Sequence, residues 1–278
     1  MNYTVRENDI ILKDFDCLDL RNTLLCGQAF RWREAEEGTF TGTVKDTTLV
    51  IEQKGTEIIF RSTSEKLFKE LWVPYFDLER DYRAITNGFR SDKYISAALD
   101  EFYGIRILHQ EPWEALCSFI ISQNNNIPRI CGIIERLCEN FGTVTDGGDY
   151  SFPDAETMSR LTESDLSVLR AGFRNKYLID AAQKVASGEI SLDAIYEMPI
   201  EDARNELMKI KGVGPKVAEC TLLYGFGRLD AFPIDVWVKR IMSEMYSDGL
   251  PSCTKNYEGI AQQYLFHWRR NSAEFKGE

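Results

Sequence analysis

Apolar and polar positions alternate along the first sixty residues; from about Ser64 onward the apolar positions recur at helical spacing. Thr39–Val44 alternates, residues 47–53 (TTLVIEQ) are β-branched, and residues 56–61 (TEIIFR) follow the turn-forming pair Lys54-Gly55. Short antiparallel strands are expected there. Leu67, Phe68, Leu71 and Trp72 then fall at i, i+1, i+4 and i+5, one stripe of a helix that Pro74 is expected to end. Helix-length patterns follow at 113–121, 127–141, 154–170, 174–187, 200–209, 215–224, 235–246 and 257–268. No repeat or low-complexity segment interrupts them. The pattern predicts an α+β protein: a small antiparallel β-containing N-terminal domain over residues 1–106, then a larger all-α domain over 107–278.

Composition narrows the class. With 44% hydrophobic and 28% charged residues, the 278-residue chain has the balance of a globular protein with a proper core. No stretch nears the roughly 18 apolar residues of a membrane span, and MNYTVRENDI lacks signal-peptide character. Export and membrane partners are therefore not expected. The seven cysteines are odd in number and irregularly spaced, and the histidines are two, His109 and His267. Reduced thiols fit this better than disulfides, a zinc site or an iron–sulfur cluster. The net charge of −11 counts against nucleic acid as a first guess. Locally, however, Lys209, Lys211, Lys216, Arg228, Lys239 and Arg240 form a basic segment, and helix N-termini bind phosphate without net charge.

The sharpest chemistry lies in KGVGPKVAEC (211–220) and FPIDVWVKRI (232–241). Gly212 and Gly214 bracket Val213, so the backbone can turn tightly and approach another molecule. Pro215 suits a first helical position, and the free amides there form an anion site. A tight helix–helix turn that binds nothing fits the same spacing. Lys216 falls in the first turn, where the macrodipole disfavours the ammonium form and favours a nucleophilic amine. Cys220, at i+4, shares its face. A phosphate contact and a core thiol would explain the same residue types. Asp235 precedes an apolar helical run and suits an N-cap, with or without a second role beside developing positive charge.

These two segments together resemble the helix-hairpin-helix–Gly/Pro–Asp superfamily of DNA glycosylases. CGQAFRW (26–32), YFDLERDY (75–82), SFIISQNNNIPRI (118–130) and AGFRNKY (171–177) narrow the resemblance to the 8-oxoguanine DNA glycosylase family. The segments stand in family order and span nearly the whole chain. The resemblance implies a bifunctional glycosylase and lyase acting on double-stranded DNA with 8-oxoguanine opposite cytosine. Lys216 matches the nucleophile that forms a Schiff base with the sugar, and Asp235 the aspartate that stabilises the transition state. The base must leave the stack to be reached.

Gly27 matches the glycine whose carbonyl accepts N7–H of 8-oxoguanine, a proton that guanine lacks. Cys220 and Phe266 match the pair sandwiching the base, and Gln262 the reader of its Watson–Crick edge. Asn124 matches the filler of the gap left in the duplex. Arg129 and Arg174 match the arginines contacting the orphaned cytosine, and Phe173 the wedge, where tyrosine is commoner. Gly212, Val213 and Gly214 form the phosphate-binding hairpin. Trp237 departs from the pattern, standing where eukaryotic members often have a phosphate-binding histidine. No cofactor is implied, although the carbonyls of Met208, Ile210 and Val213 could hold a structural alkali or similar cation.

Core packing, a polar loop or a solvated charge is the plain alternative for each of these positions. At the level of the whole chain the rivals are a superfamily member acting on alkylated bases or oxidised pyrimidines, and a silent DNA-binding module. A monomer is expected, in the cytoplasm with the nucleoid of a bacterium or archaeon, or in a eukaryotic nucleus.

Overall fold

The computed structural model describes residues 1–275. Strands β1 (Tyr3–Arg6), β2 (Asp9–Leu12), β3 (Trp32–Glu36), β4 (Thr39–Val44), β5 (Thr47–Lys54) and β6 (Glu57–Phe60) form one antiparallel sheet in the order β1-β2-β6-β5-β4-β3. The expected strands are present, and Gly55 makes the β5–β6 turn at φ +63°. Register puts Ile10 and Ile51 on either side of Phe60, all three fully buried, so one apolar row crosses three strands.

Helix α1 (Leu20–Leu24) is N-capped by Asp19 and covers that face with Leu20 and Leu24. Pro74 does not end the next helix. The chain passes from α2 (Glu65–Leu67) through a π-turn (Phe68–Trp72) into α3 (Val73–Tyr75). A proline crowds the carbonyl four residues back. The wider turn, in which Val73 N–H bonds Phe68 O, relieves that crowding just before the ring.

The remainder is helical: α4 (Tyr82–Phe89), α5 (Lys93–Phe102), α6 (Pro112–Ser122), α7 (Ile127–Phe141), α8 (Ala155–Ser159), α9 (Asn175–Ala186), α10 (Leu192–Glu197), α11 (Ile200–Leu207), α12 (Pro215–Gly225), α13 (Val236–Met245) and α14 (Glu258–Asn271). The single helix expected over 154–170 is two pieces, α8 and a 3-10 turn at Asp165–Leu169. Asp165 Oδ2 accepts from both the amide and the hydroxyl of Thr162, a local bond set that competes with helix between them.

Two apolar clusters result, one beneath the sheet and α1–α3, the other among α4–α14. Residues 104–110 stitch them together. Asp19 N–H donates to Gly104 O (2.8 Å), His109 N–H to Tyr75 O (2.9 Å), and Gln110 N–H to Tyr224 O (2.7 Å). Arg106 is fully buried over the Tyr82 ring, its guanidinium donating to the carbonyls of Cys17, Phe76, Asp77 and Arg80. It thereby satisfies a buried loop that has no strand or helix partner. All seven cysteines are free, and no helix among the described residues is long and apolar enough to cross a membrane.

His267 on α14 packs edge-on against Phe102 at 4.6 Å, and burial pushes its pKa down to about 4. Between that value and the ordinary 6.5, the unfolded chain binds a proton that the folded chain refuses. Stability is therefore full above about pH 6.5 and falls toward pH 4, by on the order of 3 kcal/mol from this group. Thermal melts across that range should slope less in His267→Gln than in the native protein. Identical slopes would contradict the buried neutral imidazole.

Candidate active site

The hairpin between α11 and α12 sets the position of Lys216. Gly212 turns the chain at φ +80°, and a β-carbon there would lie 2.4 Å from the Tyr177 ring, so only glycine fits. Asp180 Oδ2 accepts Lys211 N–H at 2.7 Å, and Lys184 Nζ donates to Lys209 O at 2.6 Å, fixing the turn against α9. Val213 is buried beneath it. Gly214 then occupies the N-cap position and Pro215 opens α12.

Lys216 is half-buried. Its Nζ bonds Ser122 Oγ at 3.1 Å and stands 5.1 Å from the centre of the Phe119 ring. The Ser122 hydroxyl donates to Phe119 O at 2.8 Å, so toward Lys216 it accepts. Asp235 caps α13, its Oδ1 accepting from Trp237 and Val238 amides at 2.9 Å each. That leaves Oδ2 without a bond among the described residues. Lys216 and Asp235 line one cavity of about 850 Å³ without forming an ion pair.

Gly27, Asn124, Arg129, Phe173 and Phe266 line the same cavity, together with Trp237, Lys239 and Arg270. Four cations therefore face one carboxylate, in a chain whose net charge is −11. Asn124 is exposed at φ +50° in the loop between α6 and α7. Its neighbour Asn126 caps α7 by accepting Arg129 N–H at 3.0 Å, which sets Arg129 in the first turn. Phe173 is 48% exposed, braced by the Arg174 guanidinium at 4.4 Å and by Tyr177.

Of the residues expected around the base and the orphaned cytosine, Arg174, Cys220 and Gln262 do not line the cavity. Arg174 turns inward, 3% exposed, donating to the carbonyls of Gln123, Asn124 and Ala171. It staples the Asn124 loop. The reason is physical: those loop carbonyls have no helix partner, and a buried guanidinium satisfies them. Cys220 lies behind the wall, where burial pushes its thiol up to about 11 although the Lys216 amine pulls the other way. Gln262 is buried with Oε1 unpaired. Hairpin residues 208–214 lie outside the cavity, and no three His, Cys, Asp or Glu side chains cluster as metal ligands among the described residues.

Gly27 adopts φ +94°. That conformation strains any L side chain and explains the glycine; a β-carbon there would also stand 3.1 Å from Ile127 Cδ1. The next residue, Gln28, went unmarked in the sequence. It is fully buried, Nε2 donating to Thr23 O and Arg106 O (2.8 Å each) and Oε1 accepting Leu108 N–H (2.9 Å). Gln110 Nε2 donates to its carbonyl at 2.7 Å. Ser122 was likewise missed. Both stand inside the quoted segments CGQAFRW and SFIISQNNNIPRI, which signal the family but give neither residue a role of its own.

Residues 10–116 match the family model "8-oxoguanine DNA glycosylase, N-terminal domain", and 117–258 match "HhH-GPD superfamily base excision DNA repair protein". The chain belongs to the 8-oxoguanine DNA glycosylase family. A Saccharomyces cerevisiae N-glycosylase/DNA lyase is 37% identical over 82% of this chain and 68% of its own length. Among solved structures, MBOgg1 with a low-affinity DNA ligand superposes at TM-score 0.91 with 40% identity, covering 97% of this chain and 99% of that one. The Clostridium acetobutylicum 8-oxoguanine glycosylase/lyase, bound to DNA with cytosine opposite 8-oxoG, superposes at 0.90 with 34% identity over 97% and 98%. Both structures share the two halves of the fold described above.

Gln28→Ala would orphan two carbonyls and one amide in the interior, so urea unfolding should show a loss of roughly 2–4 kcal/mol. A negligible loss would contradict the clamp. The neutral, buried Cys220 should resist iodoacetamide at pH 8 in the native protein, as read by peptide mapping. Rapid modification would contradict its placement.

Proposed function

We propose that this chain excises 8-oxoguanine opposite cytosine from duplex DNA and then cleaves the resulting abasic site. The observation carrying this reading is that Gly27, Lys216 and Asp235, from three distant segments, line one cavity. The Lys216 amine attacks C1′ of the flipped nucleotide. The C1′–N9 bond breaks, and the base leaves with the electron pair and takes at N9 the proton that the attacking amine sheds. The nitrogen lone pair of the new C1′–N bond then opens the C1′–O4′ bond to a protonated Schiff base, and O4′ takes a proton from water. Loss of a C2′ proton then expels the 3′ phosphate. The Asp235 carboxylate opposes the positive charge developing on the sugar, and its capping bonds hold it still.

The Gly27 carbonyl accepts N7–H of the oxidised base and repels the bare N7 of guanine. Phe266 stacks on the base from one side and Cys220, a neutral thiol, backs the other. The unpaired Gln262 Oε1 suits the donors of the Watson–Crick edge. Asn124 and Phe173 fill and wedge the duplex, and Arg129 meets the orphaned cytosine; Arg174 joins it only by leaving its loop carbonyls. Trp237 and Lys239 face the cavity where a phosphate contact is needed.

No cofactor enters this chemistry. A structural alkali or similar cation on the carbonyls of Met208, Ile210 and Val213 would brace the hairpin. The Ile210 carbonyl accepts Val213 N–H at 3.0 Å and keeps a lone pair for such an ion. The cavity comes from one chain, so a monomer suffices, working wherever the genome lies, nucleoid or nucleus.

Excision assays on duplexes with 8-oxoguanine opposite each base should give release and strand cleavage fastest opposite cytosine. Lys216→Gln should lose both by on the order of a thousandfold or more. Release of an oxidised pyrimidine or alkylated base in preference would overturn the reading. Gly27→Ala, with a strained φ and a displaced carbonyl, should slow excision roughly tenfold or more while binding to an abasic analogue is kept. Equal losses would contradict carbonyl recognition.

A further inference from the structure

Arg270 is a cavity cation with no role so far. It extends the stripe of Gln262 and Phe266 on α14, at i+8 and i+4 respectively, and is exposed at the cavity wall. Its guanidinium carbon stands 5.1 Å from the centre of the Phe266 ring, and its Nη1 lies 3.8 Å from where a β-carbon on Gly27 would be. Among the described residues it has no hydrogen bond and no carboxylate partner. The last turn of a helix suits any cation. A free guanidinium stacked on the pocket aromatic beside Gly27 suits a ligand.

We propose that Arg270 is a specificity-determining residue that donates to O8 of the flipped base while the Gly27 carbonyl accepts N7–H. This rests on the excision of 8-oxoguanine proposed above. The oxidised edge is a lactam, N7–H beside C8=O8, one donor and one acceptor side by side. Gly27 O and Arg270 Nη present the opposite pair, one acceptor and one donor. Guanine offers a bare N7 and C8–H along that edge and satisfies neither. O6 is common to both bases and lies beyond N7, so a donor there would not discriminate. Stacking on Phe266 holds the planar guanidinium ready and leaves its N–H groups in plane for the base.

Single-turnover excision of 8-oxoguanine opposite cytosine, cleavage of a preformed abasic site, and thermal melts separate the outcomes for the native protein, Arg270→Ala and Arg270→Lys. Arg270→Ala should excise roughly tenfold or more slowly yet cleave abasic sites within about twofold of the native rate. Arg270→Lys, keeping one donor, should recover part of the excision rate, and neither variant should melt differently. Parallel loss of both activities, with the salt dependence of DNA binding reduced by about one charge, would instead mark a phosphate contact and overturn the proposal. Unchanged excision would overturn it too, as would lowered melting in both variants, which would mark a packing role. A native protein that releases no 8-oxoguanine would sink the underlying function, a result distinct from any variant effect.

Discussion

The cavity depends on the 104–110 segment, which joins the two apolar clusters and to which the buried amide of Gln28 is clamped. Gly27 belongs to the sheet-bearing N-terminal part, Lys216 and Asp235 to the helices. Gln28 ties Gly27 to the segment that joins them: its buried amide donates to Thr23 O and Arg106 O and accepts Leu108 N–H. Buried amides of this kind are costly to leave unpaired, so their partners move together or not at all. The Gly27 carbonyl is consequently placed by the same segment that ties Gln110 to Tyr224 on α12, the helix that carries Lys216.

Electrostatics act on a smaller scale than net charge. An acidic chain presents DNA with Arg129, Lys216, Lys239 and Arg270 around a single carboxylate. Within about a Debye length that local excess outweighs the remote acidic surface. The same site has its neutral groups already committed. Cys220 is held protonated by burial, Asp235 spends one oxygen on the helix cap, and the Ser122 hydroxyl is committed to Phe119 O. The lysine thus faces an acceptor and an aromatic ring, not a countercharge, and no ion pair ties its amine to Asp235.

Local signals were legible in the sequence and nonlocal ones were not. The β4–β6 strands, the hairpin and the Asp235 cap follow from period, glycine placement and capping chemistry, all settled within a few residues. The continuation through Pro74 was not readable, because a π-turn is a register adjustment with no residue signature. Thr162 and Asp165 broke the 154–170 helix by a side-chain bond that periodicity ignores. At the site, Lys216, Asp235, Gly27, Asn124, Arg129, Phe173 and Phe266 line one cavity. Arg174 does not, since its position depends on carbonyls 50 residues away in the chain. Gln28 and Ser122 escaped notice for the same reason: each matters through partners that only the fold brings near.

In the proposed reaction the amine at the start of α12 is the one that reaches the sugar. Borohydride reduction of the protein mixed with an 8-oxoguanine duplex, then proteolysis and mass mapping of the cross-linked peptide, tests it directly. The adduct should lie on the peptide containing Lys216. An adduct on Lys239, the other lysine of the cavity, or base release with no adduct at all, would contradict it.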